Sequence, residues 1–228
     1  MRQKLPAHGK LGGGSRRRSP GRPRSEHARL AILRSTLKLL AENGFSDLTI
    51  EAVAAHAGVG KATVYRWWPN KAVLIADAFA SSTTRKLHFP DTGFVLTDMS
   101  QQMRQLVKIF RSPRGRIVSA ILGGGQSDRD LITAFRERFL WPRRQEAYAT
   151  LRRGMLRGEL RKNQDLDLLL DSLYGPIYMR FLIQHDSLTP DFVDSLCELV
   201  LGGANPRRSP SGRNVRVPKR PKPAPFAL

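Results

Sequence analysis

Lys61, Thr63, Tyr65 and Arg66 lie in one short stretch directly after Gly58-Val59-Gly60. Ammonium, hydroxyl, phenol and guanidinium groups at this spacing reach phosphate oxygens and base edges, the chemistry of duplex DNA recognition rather than of bond cleavage. Other chemical patterns fail on spacing. A phosphate-binding loop at Gly60-Lys61-Ala62-Thr63 would need glycine at 55 and Ser or Thr directly after the lysine, where the chain has Ala55 and Ala62. Gly123-Gly124-Gly125 has no following Lys-Ser or Lys-Thr and is read as a helix break or a close approach of backbones. The histidines at 8, 27, 56, 88 and 185 form no helical ligand pair, and His56 reads as a surface or capping residue. The one cysteine, Cys197, excludes an intrachain disulfide and a Cys-based zinc finger; among Phe192, Val193, Leu196, Leu199 and Val200 it reads as a small buried hydrophobe. With no carboxylate cluster and no nucleophile beside a base, the chain is expected to be no enzyme and to need no metal or cofactor.

The elements that position the four donors follow from periodicity and caps. Ala28, Ile32, Leu33, Thr36, Leu37, Leu40 and Ala41 recur at three- and four-residue steps, predicting a one-sided helix over 25–43 with Ser25 as N-cap and Gly44 as its left-handed stop. Thr49 caps a second, very short helix that ends near Gly58, with Glu51 favouring its positive end. A third helix is expected over 61–67, because Pro69 disfavours helical geometry in Trp68. The small residues Ala54, Ala55 and Ala57 let the two short helices cross closely, with Val53, Val64 and Trp68 packing between them, which describes a helix-turn-helix. Trp67 and Trp68 are neighbours, so Trp68 is expected inside and Trp67 partly outside. Asn70 caps the next helix, about 70–84, with Val73, Leu74, Ala78 and Phe79 inward. Further helices are expected over 97–111, 114–122, 128–158, 165–184 and 189–201. Strand-like alternation is convincing nowhere, so the fold class is all-α.

The formal charge of the 228-residue chain is +20, and its location matters more than its sum. Residues 1–24 hold eight Lys or Arg and 203–228 hold seven, with no acid in either, leaving 24 basic against 19 acidic residues in the body. Both tails are rich in Pro, Gly, Ser and Arg and read as disordered, serving either solubility and non-specific attraction or direct DNA contact. Arg16-Arg17-Arg18 is followed by no apolar region, and no run approaches a membrane span, so a soluble cytoplasmic protein is expected.

The stretch 21–80 resembles the DNA-binding domain of TetR-family regulators. The resemblance rests on Gly21-Arg22-Pro23-Arg24, Asn43-Gly44-Phe45, Thr49-Ile50, the run from Ala57 through Gly58-Val59-Gly60-Lys61-Ala62-Thr63-Val64-Tyr65, and Trp68-Pro69-Asn70-Lys71. Farther on, Phe135-Arg136-Glu137-Arg138-Phe139, Arg157-Gly158-Glu159-Leu160-Arg161, Tyr174-Gly175-Pro176-Ile177-Tyr178 and Phe192-Val193-Asp194 resemble a subgroup of the same family, so the likeness covers about 21–202. Ala52 departs from it, since many members carry an acid in the first turn of helix 2.

That resemblance implies a homodimer on a partly palindromic double-stranded DNA operator, released by a small organic ligand. Its parts would be basic tails at 1–24 and 203–228, a three-helix DNA-binding domain at 25–70, and a larger helical-bundle ligand-binding and dimerisation domain at 71–202. Carried over residue by residue, phosphate or base contact falls to Thr49, Lys61, Thr63, Tyr65, Arg66 and Lys71, with Gly60 and Ala62 admitting the backbone closely. Tyr65 equally suits a core aromatic and Lys71 a solvated charge, while Arg22 and Arg24 suit either a minor-groove arm or non-specific attraction. Met99, Met103, Phe110, Phe139, Tyr148, Tyr174 and Tyr178 are candidate cavity residues, though Met and aromatics at helical spacing are more often plain core. By analogy Leu173, Ile177, Phe181, Leu182, Phe192, Leu196, Leu199 and Val200 are expected in a two-fold interface. The competing reading is a non-specific, nucleoid-type architectural DNA binder driven by the tails.

Overall fold

The structure, a computed structural model, describes residues 25–205, and among these every regular element is a helix. The order is α1 (Glu26–Asp47), α2 (Ile50–His56), α3 (Lys61–Tyr65), α4 (Lys71–Thr83), a 3-10 turn (Thr84–Lys86), α5 (Val95–Phe110), α6 (Arg114–Gly124), α7 (Arg129–Phe135), a π turn (Arg136–Leu140), α8 (Trp141–Leu156), α9 (Leu166–Ile183) and α10 (Pro190–Gly203). The two basic tails, 1–24 and almost all of 203–228, lie outside the described residues.

The start signals act through their side chains. The oxygens of Ser25, Thr49 and Asn70 accept hydrogen bonds from the backbone N–H groups of Ala28, Ala52 and Val73 at 3.3, 3.1 and 2.9 Å, each satisfying a donor that a helix start would leave open. Two stops differ from expectation. Gly44 does leave the helix, with φ 77° and ψ −174°, but a further turn follows it, so α1 extends to Asp47. α3 ends at Tyr65 rather than 67, because the N–H groups of Trp67 and Trp68 both fold back onto the carbonyl of Val64 and close the helix in a turn. The expected helix over 128–158 is present with one distortion. Pro142 has no N–H to give the carbonyl of Arg138, and the turn just before it widens to the π form.

The core positions α4 between the two halves. Ile32, Leu33 and Leu40 of α1 are buried, as are Leu74, Ala78 and Phe79 of α4, whereas Val73 is only half-buried. α4 packs on α1 along one side and on α7 and the π turn along another. There the Phe79 ring meets Phe139 edge-on at 4.8 Å between centroids and Phe135 at 5.9 Å. A second junction joins α1 to α6: the ring of Phe45 lies on Gly124, where an added Cβ would stand 2.8 Å from it. The glycine run is thus a close approach at its middle residue. Gly124→Val should cost about 1–3 kcal/mol through that overlap, against about 1 kcal/mol for the lost cap in Asn70→Ala. Urea unfolding measures both, and an unchanged midpoint for Gly124→Val would contradict the close packing.

Candidate nucleic-acid interface and the adjoining cavity

Val53 and Val64 are fully buried between α2 and α3, and Trp68 closes the unit at 2% exposure, with Trp67 half-buried outside it. Gly58 turns the chain at φ 65°, a conformation that side chains on Cβ disfavour, and the N–H of Val59 returns to the carbonyl of Ala54 at 3.0 Å. The packing of Val64 inward leaves Gly60, Lys61, Ala62, Tyr65 and Arg66 exposed, with Thr63 half-buried beside them. Tyr65 is 50% exposed, so it is not a core aromatic. Thr49 spends its oxygen on the cap of α2 and keeps its hydroxyl proton for another acceptor. The Lys61 ammonium pairs with the Glu51 carboxylate; that hydrogen bond raises the lysine pKa and lowers the glutamate's. Lys71 is neither a solvated charge nor open to solvent on all sides: its ammonium donates to the carbonyl of Phe45 at 2.9 Å and lies 4.1 Å from the centre of that ring, clamping the end of α1. His56 and Ser35 share a hydrogen bond of 2.9 Å that ties α2 to α1. Arg22 and Arg24 lie outside the described residues.

The reading unit is joined to the rest through Asp77 of α4. The indole N–H of Trp68 donates to Asp77 Oδ2 at 2.9 Å, and the guanidinium groups of Arg29 and Arg138 stand 3.5 Å from the same carboxylate. Arg138 belongs to the π turn, and its neighbours Arg136, Phe139 and Leu140 form one wall of a cavity of about 370 Å³. Tyr174 and Tyr178 of α9 line the same space, together with Gln102, Leu106 and Arg143. Burial raises the pKa of Tyr178 to about 12 and that of Tyr174 further still, so both hydroxyls stay protonated at neutral pH.

Four of the expected cavity residues stand elsewhere. Met99 and Met103 of α5 are fully buried without lining the cavity, Met103 Sδ lying 3.4 Å from Cys197 Sγ of α10; from the same helix Gln102 and Leu106 line the cavity instead. Phe110 stacks on Phe181 at 4.2 Å and is not part of the cavity lining. Tyr148 donates its hydroxyl to Asp167 and is held by Arg144 at 3.1 Å. Among the described residues no group of three or more His, Cys, Asp or Glu side chains could hold a metal, and no helix is long and apolar enough to cross a membrane.

Two family models match the chain: "Bacterial regulatory proteins, tetR family" over residues 32–78 and "Tetracyclin repressor-like, C-terminal domain" over 89–200. The uncharacterized HTH-type transcriptional regulator YdeS of Bacillus subtilis is 40% identical over 176 residues, 77% of this chain and 89% of YdeS. The chain belongs to the TetR family. The DNA-binding transcriptional repressor TetR of Mycobacteroides abscessus is 30% identical over 151 residues, 65% of this chain and 78% of that protein. The crystal structure of the TetR family transcription regulator SCO0332 superposes with a TM-score of 0.68 at 36% identity, covering 79% of this chain and all of the other. As a TetR-family protein the chain is a DNA-binding transcriptional regulator and not an enzyme.

Three of the eight residues expected at an interface are turned inward in this TetR-family fold. Leu173, Ile177 and Leu196 are buried inside the protomer, since α9 and α10 turn these positions onto α5 and each other. Phe181, Phe192 and Val200 are half-buried, and only Leu182 and Leu199 of the expected set are open. The exposed large apolar side chains of these two helices are Leu168, Met179, Leu182 and Ile183 on α9 and Leu199 on α10. Residues 168, 172, 175, 179 and 182 recur at three- and four-residue steps, one face of a helix, and the small Ser172 and Gly175 sit at its middle. That second period was present in the sequence, behind the stronger apolar period of the core side. Asp77 was also missed, although a lone acid inside Val73-Leu74-Ile75-Ala76-Asp77-Ala78-Phe79 signals a partner. Removing that partner in Asp77→Ala should destabilise the protein by about 1–3 kcal/mol, because the buried indole N–H is left without an acceptor. In the Trp68→Phe background, the same Asp77→Ala change should cost clearly less; equal losses in urea unfolding would deny the coupling.

Proposed function

We propose that the protein is a homodimeric repressor that binds a partly palindromic operator and is released by a small organic ligand in the 370 Å³ cavity. The observation that carries this reading is the double engagement of α4. Its first turn is capped by Asn70 directly after the reading unit, and Asp77 takes the Trp68 indole; its other side packs through Phe79 on the π turn that walls the cavity. A ligand that prefers one position of the π turn therefore favours one position of α4 and, with it, one spacing of the two reading helices in a dimer. Base and phosphate contact falls to Lys61, Thr63, Tyr65 and Arg66, with Gly60 and Ala62 admitting the backbone, and Thr49 and Lys71 at the flanks. For Lys61, contact means exchanging Glu51 for a phosphate or a guanine edge. The M. abscessus relative is named a repressor, which favours that direction of regulation here.

The apolar stripe of α9 and α10 supports the dimer, because Leu168, Met179, Ile183 and Leu199 would otherwise remain in water. The specific-operator reading is favoured over a tail-driven architectural binder by the exposed donor face of α3, which a charge-only binder does not require.

Selection of bound fragments from genomic DNA supplies the operator. On that site the Lys61→Ala, Thr63→Ala, Tyr65→Ala triple variant should reduce the preference over random duplex from about 10³ or more to near one, read by fluorescence anisotropy. An undiminished preference refutes the assignment of α3. Met179→Glu with Leu199→Glu should yield a monomer by light scattering and weaken operator binding by about 100-fold or more; a persistent dimer places the interface elsewhere.

A further inference from the structure

Arg143 forms part of the cavity wall on α8 and is more than nine-tenths buried. One terminal nitrogen, Nη1, donates to Glu146 at 2.9 Å, and the guanidinium lies 4.7 Å from the centre of the Phe89 ring. Nε–H and Nη2–H are buried and have no acceptor among the described residues. These two groups make up the side-on edge of a guanidinium, the fork that matches the two oxygens of a carboxylate. The same edge is filled elsewhere in this fold: Arg104 gives Nε and Nη2 to the two oxygens of Asp194. Burial without full pairing disfavours the charged form and pushes the Arg143 pKa down, although a guanidinium stays protonated.

The other polar groups of the cavity also offer donors. Gln102 is almost wholly buried; its side-chain oxygen accepts from the Tyr174 hydroxyl, so the group it can offer a ligand is its amide N–H. Tyr178 lines the same space, and its hydroxyl, protonated at neutral pH, is a further donor there. The remaining charges on the wall are accounted for. Arg144 is held by Asp171 and Asp167, which takes up the one carboxylate there, and Arg136 is exposed and faces Trp141. Around these groups stand Leu87, Leu106, Leu122, Ile132 and Phe139, an apolar lining. An unpaired buried donor is costly, and a buried cation more so, unless an acceptor joins it.

We propose that the cavity takes an organic acid, an apolar body ending in one carboxylate, and that Arg143 holds the carboxylate through Nε and Nη2 while Gln102 or Tyr178 gives it a further hydrogen bond. This rests on the reading of the cavity as the ligand site, and it names the ligand's class. It also explains why an arginine is kept where a methionine would pack with less desolvation.

Two pairs of near-isosteric probes test it by titration calorimetry on the full chain: octanoate against octanamide, and 2-naphthoate against 2-naphthamide. In at least one pair the acid should bind about tenfold or more tightly than its amide, a difference of about 1.4 kcal/mol. Arg143→Gln should bring the two affinities together by weakening the acid while leaving the amide, and Arg143→Lys should recover only part of the preference, since an ammonium lacks the fork. Arg143→Met should fold with a melting temperature no lower than that of the parent chain, which separates a ligand role from a structural one. Amides that bind as well as acids, a preference that survives Arg143→Gln, or no binding by either pair overturns the proposal. Tight acid binding that leaves the operator complex intact keeps the proposal and overturns ligand release.

Discussion

Trp68 must bury its indole and still find an acceptor for the indole N–H, and the structure depends on how that demand is met. Asp77 is the acceptor, so the first turns of α4 are pinned to the end of the reading unit. The carboxylate is then faced by Arg29 from α1 and Arg138 from the π turn, and three elements share one charged group. Each pair alone is partly solvent-exposed and weak. The hydrogen bond to a nearly closed indole is the member that geometry makes hard to replace.

That junction lies beside the π turn that interrupts the run from α7 into α8. The π turn at Arg136–Leu140 follows from a proline two residues on, and it gives Phe139 and Leu140 to the cavity while Arg138 reaches toward Asp77. A straight α-helix over the same residues would distribute these side chains at different angles around its axis. The local defect is therefore what places a cavity wall and a salt-bridge donor for α4 on the same short segment.

The electrostatics of the two halves differ in kind. On the reading face the charges are exposed and exchangeable, as in Lys61 with Glu51, so polyanion contact costs little desolvation. In the cavity the charge of Arg143 is buried and incompletely paired, which is tolerable only where something else supplies the acceptor. The α9–α10 surface carries a third solution, an apolar stripe with small residues at its centre.

Local chemistry was legible in the residues themselves. Ser25, Thr49 and Asn70 announced helix starts because a cap is decided by a side chain three residues from its donor, and Gly58 announced the turn because few residues tolerate its positive φ. The inward Trp68 and outward Trp67 followed from one helical step between neighbours. What no short stretch of sequence contains is which of two apolar faces meets which partner. Met103 went to α10 and Gln102 to the cavity because helix rotation is set by packing across the bundle, and Leu173, Ile177 and Leu196 were taken inward for the same reason. Residue types and their spacing determined the helices, their capped starts and the donor face of α3. The cavity wall, the Asp77 junction and the uncovered stripe were decided only in three dimensions, since each joins residues that are distant in the chain and is selected by the packing of whole helices.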